Sequence, residues 1–351
     1  MTTAAPTPIP GQAIRAALAA IVDEHRDLTE AEAYDCMDEI MSEGATPAQF
    51  GAFVTALRMK GETIDEITGM ARVMRARSLH VEVAAKPLLD TCGTGGSSKK
   101  VFNASTAAAF VAAAAGATVA KHGNRAMTSQ SGAADLLEAL GANIMLSPAQ
   151  VAKVIEHTGV GFMFAPSFHP AMKFAGPLRP QLGIRTVFNI LGPLTNPAGA
   201  QCHIMGAANP ALAERLAGVL ARLGMRHALV VAGSDGLDDI TVTGPTTAFE
   251  VKGNTVTPRT ITPAELGLDT HVFEEITGGT PDQNAKIFRD VLRGDGPPAV
   301  RDLILATAGA GLFVTGLTSS LRLGVKLAAH HLDNGDAAAC VGAFVEATRR
   351  A

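Results

Sequence analysis

The sequence predicts an α/β protein: a small all-helical N-terminal domain, residues 1–80, then a larger α/β domain, residues 81–351, built on a mainly parallel central sheet. Three observations lead there. Residues 11–77 read as all-helical, with apolar side chains recurring at three- and four-residue spacing and helix-start signals between the helices. From Leu88 onward, short apolar runs alternate with helical patterns, as parallel strands and their covering helices do. Two glycine-containing turns, 90–96 (DTCGTGG) and 121–125 (KHGNR), each close such a run, and ligands of parallel sheets sit at the carboxyl ends of strands.

The elements follow in order. Ile14, Ala17, Leu18 and Ile21 place a helix over 12–22. Thr29 is the expected N-cap of a helix over 30–41. Thr46 followed by Pro47 opens the next, with proline at the first helical position, and Gly61 stops it. Thr63 caps 64–76, with Asp65 and Glu66 in the first turn where the helix dipole favours acids. Such short amphipathic helices make a bundle or a docking module. Residues 78–87 read as a linker or extended segment. Strands are expected at 88–92, 118–121, 161–164, 204–207 and 229–232, with helices at 104–115, 132–140, 148–157 and 210–223. Residues 242–262 are rich in β and turn signals. Helices return at 281–293, 298–315 and 319–334.

Composition narrows the function. Hydrophobic residues make up 47% and aromatics only 4%, so the core is built from small aliphatic side chains that allow close backbone approach. The net charge of −4, with no long run of one sign, argues against nucleic acid as partner. An anionic ligand must then be met by local donors. Four scattered cysteines with no C-x-x-C spacing read as thiols in a reducing compartment, not as a zinc site. The N-terminus lacks the pattern of a signal peptide, and the apolar run 107–120 is too short to span a bilayer. The expected location is the cytoplasm, with no membrane partner.

The turn at 90–96 is neither a Walker loop nor a dinucleotide fingerprint, because Ser98 stands where either needs glycine. What remains is a strand end with glycines that let backbone N–H groups approach an anion; an ordinary tight turn would look the same. Asn103-Ala-Ser-Thr106 fits a helix cap, and the same geometry meets phosphate. Ser105 adds a neutral oxygen for magnesium. Lys99 and Lys100 read as a solvated loop or as mobile phosphate contacts. Lys121–Arg125 packs donors directly after a strand, with Thr128, Ser129 and Ser131 close behind. Asp238-Asp239 in 233–240 (GSDGLDDI) fits an Asx turn or, since adjacent carboxylates repel, a magnesium site completed by substrate phosphates. A proline-punctuated loop carries His169 and then Arg179, whose guanidinium suits a carboxylate. The 192–197 stretch (GPLTNP) reads as a rigid, architectural loop.

Together these segments closely resemble the anthranilate phosphoribosyltransferase family. The matching stretches are GTGG (93–96), FNASTAAAFVAAAAG (102–116), VAKHGNRAMTSQSGAADLLEALG (119–141), FAPSFHPAMK (164–173) and LGIRTVFNILGPLTNPAGA (182–200). The resemblance implies a fold of the nucleoside phosphorylase and phosphoribosyltransferase type. It implies a homodimer through the helical domain, which also takes in the chain near 180–200. It implies anthranilate and 5-phosphoribosyl 1-diphosphate (PRPP) as substrates, with two magnesium ions. By motif position, Gly93, Gly96, Ser97, Val101, Asn103, Ala104, Ser105, Thr106, Lys121, His122, Gly123, Asn124, Arg125, Ala126, Met127, Thr128, Ser129 and Ala133 would line PRPP. Gly93, Asn124 and Arg179 would hold anthranilate, with His122 and His169 nearby. Ser105, Asp238 and Asp239 would serve the metal. No general base is implied.

The sequence departs from the family pattern at four places. Ser97-Ser98 replaces a usual Asp-Gly, Val101 a threonine, Ala133 a serine, and Asp239 the glutamate of an Asp-Glu pair. Val101 and Ala133 each remove a hydroxyl from the expected phosphate site. Two other readings use the same scaffold: a pyrimidine nucleoside phosphorylase, and a non-catalytic nucleic-acid binder, which the acidic balance opposes.

Overall fold

The computed structural model describes residues 11–95, 101–126 and 130–351. They form two compact units. One comprises residues 11–78 with His169–Leu191, and the other Leu79–Phe168 with Gly192–Ala351. The segment that joins the helical unit is thus 169–191, where the sequence suggested about 180–200.

In the helical unit, Glu30–Met41, Pro47–Lys60 and Ile64–Ala76 each begin with a reciprocal capping box. The hydroxyls of Thr29, Thr46 and Thr63 accept the N–H three residues on, and Glu32, Gln49 and Glu66 reach back to the cap N–H. The first helix differs from expectation: it is α-helical over Gln12–Leu18, then widens into a π turn at Ala19–Asp23. Phe50, Phe53, Leu57, Ile67 and Met70 are fully buried at the core of the unit. The 169–191 segment is helical where a loop was expected: Pro170–Lys173, Ala175–Leu182 and Phe188–Leu191. Pro170 stands at a first helical position, where the missing N–H costs nothing. Phe174 and Phe188 bring the segment onto Phe50, at ring distances of 6.1 and 5.5 Å.

The second unit holds one seven-stranded sheet: β1 (Leu88–Asp90), β2 (Thr118–Gly123), β3 (Val160–Phe164), β4 (Cys202–Gly206), β5 (His227–Gly233), β6 (Thr246–Lys252) and β7 (Thr255–Ile261). Their order across the sheet is β3-β2-β1-β4-β5-β6-β7. The first five run parallel; β6 and β7 add an antiparallel hairpin. Strand order reverses between β1 and β4, the switch point where such sheets open a crevice at their carboxyl ends. β1 stops at Asp90, so the 91–95 turn starts inside that crevice.

Two apolar helices, Ala104–Ala114 and Pro298–Thr315, fill the core around the sheet. The second is long and apolar enough to cross a membrane, yet 83% of it is buried inside the unit. Leu321–Asp333 crosses it at Gly309 and Gly324, where a Cβ on Gly324 would come within 2.1 Å of the Gly309 carbonyl oxygen. Only glycine permits that approach. A last helix, Asp336–Arg350, lies beyond the Asn334-Gly335 stop at which the sequence reading ended, and sets Phe344 on Phe110 at 5.2 Å.

Candidate active site

The crevice is closed at its base by a contact between two glycines and one aspartate. A Cβ on Gly206, at the end of β4, would fall 1.7 Å from the carbonyl oxygen of Asp238; one on Gly93 would fall 3.3 Å from the same oxygen and from Asp238 Oδ2. The Thr94 N–H donates to the Gly206 carbonyl at 2.9 Å, fixing the 91–95 turn to β4. The glycine turn and the acidic loop therefore meet at one place. Between Gly93 and Gly95, the hydroxyl of Thr94 is buried without a hydrogen-bond partner among the described residues.

Behind this contact the strand ends are cross-linked by polar side chains. Asp90 is fully buried. Its Oδ2 accepts from Asn196 Nδ2 (2.7 Å) and its Oδ1 from the His122 N–H (3.2 Å). Asn196 also donates to the Ala120 carbonyl at 2.8 Å. The 192–197 loop is thus a clamp on β1 and β2. β2 runs two residues further than expected, pairing Lys121, His122 and Gly123 with Phe162, Met163 and Phe164 of β3. His122 is in consequence a buried strand residue and not part of a polar loop, and Lys121, at the end of the expected strand, is buried with it. Lys121 Nζ donates to the carbonyl of Thr91, whose hydroxyl donates to the Ser105 carbonyl at 2.8 Å. His122 Nδ1 lies 3.2 Å from the Gly192 carbonyl. A carbonyl can only accept, so this contact places the proton on Nδ1.

Asn103 occupies the cap position of Ala104–Ala114 but does not cap with its side chain. Its Nδ2 donates to the Ser131 carbonyl, and its Oδ1 accepts from Ser131 Oγ (2.9 Å) and Asn284 Nδ2 (2.8 Å). Three distant segments are tied around the start of that helix, which presents Ser105 and Thr106. Ala104 is buried with Thr106. Val101 bridges to Thr277 and, like Ala133, packs against the apolar core. Gly123 lies so close to Phe162 that a Cβ would meet its ring at 2.8 Å.

Arg125 and Asn124 are exposed. The Arg125 guanidinium pairs with Glu138 and, at 3.3 Å, with Asp135, and stands 5.5 Å from the Phe164 ring. Asp135 also accepts the N–H groups of Ala126 and Gly132, at 2.8 Å each. Asn124 Oδ1 accepts the Arg125 N–H at 2.7 Å. Gly96, Ser97, Met127, Thr128 and Ser129, together with Lys99 and Lys100, lie outside the described residues.

The acidic loop after β5 divides its carboxylates by task. Asp235 shapes the loop: it accepts from Thr241 Oγ1 (2.6 Å), Thr243 Oγ1 (2.7 Å) and the Leu237 N–H (3.0 Å). Asp238 lies against Gly93. Asp239 Oδ1 accepts from the Ile240 N–H (2.9 Å) and from Thr307 Oγ1 (2.6 Å). Burial pushes the Asp239 carboxyl up to about 6, against the pull of those two donors. Among the described residues no three His, Cys, Asp or Glu side chains converge into a protein-only cage. Magnesium needs no cage: one or two carboxylates with waters and substrate phosphate oxygens suffice.

In the helical unit, Arg179 lies over the Phe188 ring at 5.8 Å, and burial lowers its pKa from the ordinary value while leaving it cationic. Burial pushes His169 down to about 4, so it is neutral near pH 7. Sequence reasoning missed Asp90, Thr94 and Thr307. A strand-end aspartate beside glycines was a usable signal for Asp90. Thr307, inside the apolar run ILATAGAG, gave none.

Similarities to known proteins agree with this geometry. A family model for the helical bundle domain of a glycosyl transferase family matches residues 15–78, and one for the α/β domain of the same family matches 85–338. The anthranilate phosphoribosyltransferase of Chloroflexus aurantiacus is 52% identical over 325 residues, covering 92% of this chain and 95% of that protein. The crystal structure of the Thermus thermophilus enzyme of the same name superposes with a TM-score of 0.90 at 42% identity, covering 96% of this chain and 99% of that one. The Saccharomyces cerevisiae enzyme, in complex with PRPP and Mg, superposes with a TM-score of 0.87 at 27% identity, covering 96% and 98%. By sequence and by structure along nearly its whole length, the chain belongs to the anthranilate phosphoribosyltransferase family.

Proposed function

We propose that this chain transfers the phosphoribosyl group of PRPP to the amine of anthranilate, giving N-(5-phosphoribosyl)anthranilate and diphosphate in tryptophan biosynthesis. The observation that carries the reading is the contact of Gly93 with Asp238: an anion-binding turn and a carboxylate pair share one crevice. The buried Thr94 hydroxyl supports it: it has no partner among the described residues, a buried hydroxyl left so costs about 1–3 kcal/mol, and a phosphate oxygen would satisfy it.

PRPP would lie along 93–97, 101–106 and 121–129, with Ala133 at its edge. N–H groups of the 93–96 turn and of the 103–106 helix start would hold its phosphates. Gly93 and Gly123 leave room for the ligand and for Phe162. Lys121, anchored by Thr91, contributes a fixed positive charge. Anthranilate would be held by Arg179 through its carboxylate and by Gly93 and Asn124, with His122 and His169 nearby. Magnesium, as two ions served by Ser105, Asp238 and Asp239, would supply charge neutralisation to the leaving diphosphate.

The C1–O bond to diphosphate breaks, its electron pair leaving with diphosphate, as the amine nitrogen forms a bond to C1; the surplus N–H proton then passes to the departing diphosphate or to water. An aromatic amine is already neutral near pH 7, so no general base is assigned. Rate acceleration comes from positioning and from stabilising the leaving group. A homodimer through the helical unit is part of this proposal, supported by the exposed apolar side chains Val22, Tyr34 and Met59. A cytoplasmic location is supported by four free thiols. The test is the loss of anthranilate fluorescence on adding PRPP with Mg2+. Loss only when all three are present supports the proposal. No loss, with turnover of a nucleoside and inorganic phosphate instead, replaces it with the phosphorylase reading.

A further inference from the structure

Resting on the magnesium role given to Asp239, we propose that Thr307 is a positioning residue that fixes which oxygen of that carboxylate faces the cation. Thr307 sits within the buried helix Pro298–Thr315 and is itself fully buried. Threonines inside helices commonly return their hydroxyl to a carbonyl one turn back. Thr68, Thr158 and Thr315 do so here, donating to Ile64, Val154 and Gly311. Thr307 instead donates away from its helix to Asp239 Oδ1, at 2.6 Å. The neighbouring Ile240 N–H donates to that same oxygen at 2.9 Å.

Two donors on Oδ1 determine the rotation of the carboxylate and fill that oxygen's acceptor capacity. Asp239 then turns Oδ2 toward a ligand. One donor comes from the acidic loop itself and one from a rigid core helix, so Thr307 also pins the loop to the core. A hydroxyl is needed for this and a methyl is not. Partners of this kind, behind a metal-binding side chain, typically contribute about 10–100-fold in metal affinity.

The experiment measures Mn2+ binding by electron paramagnetic resonance, with inorganic diphosphate present, on the full chain. Thr307→Val keeps the shape and removes the donor; Thr307→Ser restores it. Thr307→Val is expected to weaken Mn2+ binding about tenfold, with Thr307→Ser within about twofold of the parent. If Thr307→Val does not fold, Thr307→Ala is compared in its place. Unchanged Mn2+ affinity in the donor-less variant, beside a weakened Asp239→Asn, overturns the positioning role. So does a Thr307→Ser variant as weak as Thr307→Val, which would make packing the cause. If Asp238→Asn and Asp239→Asn both bind Mn2+ like the parent, the metal reading itself fails.

Discussion

Gly93 and Asp238 come from opposite halves of the chain, yet a Cβ on Gly93 would stand 3.3 Å from both the carbonyl oxygen and Oδ2 of Asp238. The strand order explains the meeting. β1 and β4 are neighbours at the switch point, and the loops leaving β1 and β5 converge over Gly206. A turn suited to phosphate and a loop suited to a hard cation are thereby held against each other by the fold.

Gly206→Ala should displace the acidic loop, because its Cβ would overlap the Asp238 carbonyl oxygen at 1.7 Å. A destabilisation of about 1–3 kcal/mol is expected from such overpacking, together with weakened Mg2+ dependence. Thermal denaturation and Mg2+ titration check both; an unchanged Tm would show that the loop yields freely.

Asp238→Asn removes a charge without changing shape. It should lower kcat and raise the Mg2+ concentration needed for half-maximal rate. An identical Mg2+ titration would remove Asp238 from the metal site.

Arg179→Ala should raise the KM for anthranilate by about tenfold or more, the expected effect of losing a charge-assisted contact, and change the KM for PRPP less. The reverse pattern would separate Arg179 from the carboxylate.

His169 provides a pH test. Burial holds its pKa near 4, below the ordinary 6.5. The unfolded chain therefore takes up a proton between these values and the folded chain does not. Stability linked to His169 is complete above pH 6.5 and is lost as pH falls toward 4, by roughly 3 kcal/mol in all. His169→Gln should flatten this acid loss in urea titrations at several pH values. Equal slopes for both proteins would refute the shift.

Much of this was legible in the sequence because the determinants are local. Thr29, Thr46 and Thr63 carry their capping partners three residues on, and the predicted helices 30–41 and 64–76 match the structure. What was not legible depended on pairing across the fold. β2 extends through His122 and Gly123 only because β3 lies beside it, so His122, which read as a loop residue, became buried. Asn103 reads as a cap, but Ser131 and Asn284 claim its side chain. The helices of 169–191 were hidden by their prolines. Thr307 could not be found from its neighbours in sequence, because its partner lies 68 positions away.

The most direct measurement is a crystal structure of this chain with PRPP and Mg2+ bound. The diphosphate is expected to touch the amides of 93–96 at one side and, through the cation, Asp238 and Asp239 at the other. A diphosphate bound away from either patch would contradict the shared crevice on which the proposed reaction depends.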